Sequence, residues 1–181
     1  MYFYDKISKK PQKLVTMTQT ELIQKAYHII GNATPMASNC GTLCGAACCQ
    51  GDEETGMLLF PGEQALVEDV REFTVTKTWD GRPLLLCSGR CQRERRPLSC
   101  RIFPFAWICD KGRYRMIADP RASILCPLYK TACKNKLNRT FTLAVYKAGK
   151  FLFEDAQMRE FMEYEKQQID LYREEFLCSD L

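Results

Sequence analysis

The stretch CGTLCGAACC, residues 40–49, gives four of ten positions to cysteine. No other feature of the 181-residue chain limits what it can fold into so sharply. Thiols at this density form a disulfide framework, a metal site, a redox relay or a crowded core. The chain has eleven Cys and one His, His28. An odd number leaves one thiol over if all the others pair. The opening MYFYDKISKKPQKLVTM has no apolar run resembling a signal-peptide core, and no later stretch reaches the length of a membrane span. A cytoplasmic protein with no membrane partner is therefore expected, in a compartment that keeps thiols reduced. Clustered thiols that stay reduced point to metal.

The remaining sequence predicts a small α+β fold, with short β-hairpins around a cysteine metal site and a helical C-terminal segment. T-Q-T-E at Thr18 is a capping-box pattern, predicting a helix to about Ile30 with Gly31 as its stop. Gly41 and Gly45 favour a short helix or tight turn in the Cys-rich stretch. MLLF (57–60) reads as a short strand, and PGEQALVEDV as a helix opening at Pro61. FTVTKTW, Asp80-Gly81 and RPLLLC form one hairpin signal; FAWIC, Asp110-Lys111-Gly112 and RYRMIA form a second. Beyond residue 138 the spacing is helical, with Met158, Phe161, Met162, Ile169, Tyr172 and Phe176 on one apolar face. Gly149 is expected to separate or bend the two helices there. The chain reads as one domain, 1–181, with a metal-binding core at about 36–135 and a helical segment at about 138–177.

The cysteines fall into groups. Cys40, Cys44, Cys48 and Cys49 form the first, and Cys87, Cys91 and Cys100 the second; Cys126 and Cys133 follow. Intervals of four would bring Cys40, Cys44 and Cys48 to one helical face, with Cys49 turned by about 100°. Adjacent cysteines therefore need not serve the same metal. Thiolates suit zinc, cuprous copper or iron–sulfur clusters, and spacing does not choose among them. There is no C-x2-C knuckle, and a single His excludes the Cys2His2 finger. His28 reads as a structural or surface residue, Cys109 as core and Cys178 as a bystander.

Cys44-G-A-A-Cys48-Cys49, Cys87, the run GRCQRERRPLSCRIFPF (89–105) and Cys126-Pro127 together resemble the YkgJ-type cysteine-cluster family. That family is described as a zinc- or iron-chelating domain, and it includes a domain of the flagellin lysine N-methylases. The resemblance covers residues 40–127 and is most specific at Arg96-Pro97 and Cys100-Arg101-x-Phe103-Pro104. It implies eight metal ligands: Cys40, Cys44, Cys48, Cys49, Cys87, Cys91, Cys100 and Cys126. The first group departs from the family's CxxCxxCC pattern by one extra residue in each of its two intervals. The cofactor implied is an iron–sulfur cluster or zinc, with the cluster favoured.

The charge distribution agrees with this resemblance. Residues 82–121 carry ten Lys/Arg against three acids, a net +7, whereas residues 151–181 carry a net −6. Several thiolates around a divalent metal remain anionic, and nearby guanidinium groups lower their energy. Arg96 and Arg101 are expected beside the ligands; Arg90, Arg93 and Arg95 are candidates for the same role, with a solvated face as the alternative for Arg93 and Arg95. Pro97 and Pro104 stiffen the segment presenting Cys100, and Phe103 and Phe105 are expected to exclude water.

Three functions compete. The first is a metal-binding protein, with a protein partner or substrate allowed. The second is a protein lysine N-methyltransferase-like or accessory enzyme, on the kinship with the flagellin N-methylases; no Gly-rich strand-to-helix turn and no CxxxCxxC motif support it. The third is a nucleic-acid-binding metal module using the basic segment, with Phe103, Phe105, Trp107 and Tyr114 for stacking. Those aromatics are more simply explained as core.

Overall fold

The computed structural model describes residues 17–50, 56–89 and 91–176. Arg90 and Cys178 lie outside the described residues. The first helix, α1 (Gln19–Ile30), begins with the expected capping box. The Thr18 hydroxyl accepts from the Glu21 N–H at 3.3 Å, and the Glu21 carboxylate accepts from the Thr18 N–H at 2.7 Å. Leu22, Ile23, Ala26 and Ile30 are buried, the three-and-four spacing of an amphipathic helix.

The Cys-rich stretch is not one helical face. Two 3-10 turns, Cys40–Leu43 and Ala47–Cys49, are separated by Gly45 and Ala46, both left-handed at φ 60° and 57°. The interval of four therefore does not act as a helix stripe, because the left-handed Gly45–Ala46 pair interrupts it between two short turns.

Strand β1 (Met57–Leu58) and helix α2 (Gln64–Val67) are both shorter than their sequence patterns predict. The reason is Glu63. Its carboxylate folds inward and accepts the Phe60 N–H at 3.0 Å, drawing Phe60 out of strand geometry. Strands β2 (Phe73–Lys77) and β3 (Pro83–Cys87) form the first predicted hairpin, and β1 pairs antiparallel with the other side of β3. A short helix, α3 (Leu98–Ile102), precedes the second predicted hairpin, β4 (Phe105–Asp110) with β5 (Arg113–Ala118). Helices α4 (Tyr129–Cys133), α5 (Arg139–Leu152) and α6 (Ala156–Phe176) complete a small α+β fold.

Strand β4 lies at the centre. Phe105, Trp107 and Cys109 join the main core with residues of α1, α5 and α6, while Ala106 and Ile108 face Ile169 of α6. This alternation buries both faces of one strand. Gly149 does not separate the last two helices; it lies within α5. A Cβ there would come within 2.6 Å of Trp107 Nε1 and would also meet Tyr114 Oη, so the glycine is a point of close approach. The break falls at residues 153–155, where the Asp155 carboxylate caps α6 by accepting from the Gln157 and Met158 N–H groups at 3.0 and 3.1 Å. Of the predicted apolar face of α6, Met158, Phe161, Met162 and Ile169 are buried, whereas Phe176 is exposed because the last turn runs past the core. Among the described residues, no helix is long and apolar enough to cross a membrane.

Candidate metal centre

The eight cysteines singled out by sequence span residues 40 to 126, yet all of them line two adjoining cavities. The larger, about 140 Å³, is walled by Cys48, Cys49, Cys87, Cys91 and Cys100. The smaller, about 40 Å³, is walled by Cys40, Cys44, Cys48, Cys100 and Cys126. Phe103 and Leu125 line both and close them with apolar surface. Phe105 does not share this role; it is in the main core, stacked near Phe141 with ring centroids 6.0 Å apart.

Each thiol is carried on short or irregular backbone. Cys87 ends β3, and its sulfur accepts the Gly89 N–H at 3.3 Å. Gly89 has φ 80°, and a Cβ there would lie 2.8 Å from the Cys49 carbonyl oxygen. Only glycine permits this turn to approach the first cysteine group so closely. Cys100 sits on α3, whose first N–H, that of Leu98, donates to Glu63 Oε1 at 2.6 Å. The Tyr27 hydroxyl donates to the same oxygen, also at 2.6 Å, and Ser99 Oγ donates to the Leu58 carbonyl at 2.8 Å. Glu63 is thus a buried bracket joining α1, the turn after β1 and the helix that presents Cys100. Sequence reasoning missed it, since an acid in the first turn of the helix expected from Pro61 gives no signal that it turns inward.

Arg96 occupies the wall common to both cavities. Burial works against its charge, but Cys91, Cys49 and Cys100 around it hold it above the ordinary arginine value. Its Nε–H is buried with no hydrogen-bond acceptor among the described residues. Arg101 and Arg93 line the smaller cavity. Arg101 lies over the Tyr27 ring at 4.2 Å and donates to the carbonyls of Arg96, at 2.6 Å, and Glu94. Arg93 donates to the Ala33 carbonyl at 2.8 Å. Arg95 is exposed, as the solvated-face alternative predicts.

The thiols differ in character. A hydrogen bond from Cys48, helped by the charge of Arg96, brings Cys49 down to about 6, while the same bond pushes Cys48 up. Burial raises Cys100, Cys91 and Cys126. Eight thiols beside a cationic wall form a soft, electron-rich donor set suited to zinc or iron–sulfur chemistry. The orphaned Arg96 Nε–H adds a donor suited to a bound anion or a metal-bound sulfur. Among the described residues, no three His, Cys, Asp or Glu side chains converge closely enough to grip a single ion as they stand. The thiols instead surround space.

The remaining sequence candidates lie elsewhere. Cys109 is buried in the core, its thiol donating to Glu163 at 3.3 Å. Cys133 and His28 are exposed. Phe105 and Trp107 are 3% and 1% exposed, which removes both from any base-stacking surface. Comparison of the chain with family models, curated proteins and solved structures gave no match.

Proposed function

We propose that this is a metal-binding protein of the YkgJ-type cysteine-cluster kind, holding an iron–sulfur cluster or zinc through Cys40, Cys44, Cys48, Cys49, Cys87, Cys91, Cys100 and Cys126. One observation carries the reading. Thiols from residues 40–49, 87–100 and 126 line two cavities that share Arg96, whose buried Nε–H has no partner among the described residues. A core needing only apolar filling would not gather ionisable sulfurs beside a half-buried guanidinium, because burying the charge is costly without anionic partners. A bound metal–thiolate complex supplies that negative charge. The cluster is favoured over zinc because the thiols stand around the cavities and do not converge on one point, as a tetrahedral ion with bonds of about 2.3 Å requires.

Anaerobic purification with visible absorption and iron, sulfide and zinc analysis tests this. Brown protein with matched iron and sulfide supports the cluster; colourless protein with stoichiometric zinc replaces it with zinc; protein with neither metal rejects the reading. Cys100→Ser is expected to lose metal and much stability, since metal affinity and folding are coupled. Unchanged metal content would remove Cys100 from the site.

A further inference from the structure

We propose that the thiols form two separate four-cysteine metal centres, Cys49/Cys87/Cys91/Cys100 and Cys40/Cys44/Cys48/Cys126, divided by Arg96 and joined through the Cys48–Cys49 peptide. This rests on the metal-binding reading above and extends it.

Six of the eight assignments follow from which cavity a residue lines. Cys49, Cys87 and Cys91 line only the larger, and Cys40, Cys44 and Cys126 line only the smaller. Cys48 and Cys100 touch both, and their neighbours separate them. The thiols acting on Cys100 are Cys49, Cys91 and Cys87. Those acting on Cys48, apart from the adjacent Cys49, are Cys40 and Cys44. Cys126 in turn is influenced by Cys40 and Cys44. Four thiols fall to each side, the number that a closed zinc site or an iron–sulfur cluster takes.

Cys48 and Cys49 are consecutive in a 3-10 turn, and their thiols share a hydrogen bond. Metal binding to both sets would replace that bond with one metal–sulfur bond on each side. The division also has an electrostatic logic. Two tetrathiolate centres of divalent metal would each carry a net negative charge and repel across a shared wall. Arg96 stands in that wall and lines both cavities, and Arg93 and Arg101 line the smaller one.

The test is a titration of the reduced, metal-free 181-residue chain with cobalt(II), followed by its thiolate charge-transfer absorption. Two equivalents are expected. Cys91→Ser should weaken one equivalent by at least about tenfold and spare the other; Cys126→Ser should weaken the equivalent that Cys91→Ser spares. Saturation at one equivalent, or both variants weakening the same equivalent, overturns the division and leaves metal binding intact. Absence of any cobalt–thiolate band overturns the division, while the iron, sulfide and zinc analysis above decides metal binding separately. If either variant fails to fold, alkylation of the wild-type chain decides. At one equivalent of cobalt, protection of one of the two named sets of four supports the division, and protection spread over both sets overturns it.

Discussion

Glu63 shows how a single side chain controls the geometry of a distant group. Its carboxylate accepts from Tyr27, Phe60 and Leu98 and is fully buried. Burial pushes its pKa above the ordinary 4.5, against the pull of the three hydrogen bonds and of Arg101. With the folded value raised, the folded state holds its proton more tightly than the unfolded chain does. The stability contributed by Glu63 is then fully present below the unfolded pKa and falls as pH rises through the folded one. Glu63→Gln does not titrate and places an amide donor among three donors, which costs about 1–3 kcal/mol. The expected outcome is a wild-type stability margin over Glu63→Gln that is largest in acid and shrinks towards neutral pH. Denaturant melts of both proteins across that range check this, and a margin growing with pH contradicts it.

At the scale of elements, α5 and the β4–β5 hairpin meet where Gly149 faces Trp107 and Tyr114. Gly149→Ala gains about 1 kcal/mol in helix propensity. It also forces a methyl group against a fully buried indole whose Nε–H already has no partner among the described residues, an overpacking cost of about 1–3 kcal/mol. A net loss of about 0–2 kcal/mol is expected from the shift in denaturant midpoint; a stabilised variant would show that α5 can move away. This glycine also marks the limit of reading elements from sequence. The capping box at Thr18 and both hairpins were legible because their signals are local: a side chain three residues away, or alternation beside a turn. Gly149 looks the same whether it ends a helix or admits a tryptophan. The short α2 was over-read for a similar reason, since only the folded chain reveals that Glu63 turns inward. For the site, the eight cysteines were legible by type and spacing. Arg96 and Arg101 were legible beside the ligands as well; that Arg93 lines the smaller cavity while Arg95 is exposed was not, because irregular backbone fixes that choice and periodicity does not.

Across the whole molecule, the eight candidate ligand thiols and the main core are largely distinct. The core unites α1, β4, α5 and α6 through residues such as Ile23, Trp107, Phe141 and Met162, and none of the eight cysteines belongs to it. Cys87 and Cys91 pack only at the edge of a smaller cluster formed by Leu59, Val67, Val70, Phe73 and Leu85. Small zinc domains unfold when stripped of metal because the metal is their core; a chain with this much independent apolar packing should not. Chelation is therefore expected to preserve the far-UV helical signal of α1, α5 and α6. Faster hydrogen exchange should be confined to residues 40–50, 87–103 and 122–127, and collapse of the helical signal would show that the core depends on the thiols. The order of those thiols along the chain has a further consequence, one of timing. Cys49 leaves the ribosome 77 residues before Cys126, an interval of about 4–15 s at about 5–20 residues per second. Through that interval the first four thiols have been made but part of their cavity wall has not. The nascent chain must keep them reduced and unclaimed until translation delivers the rest.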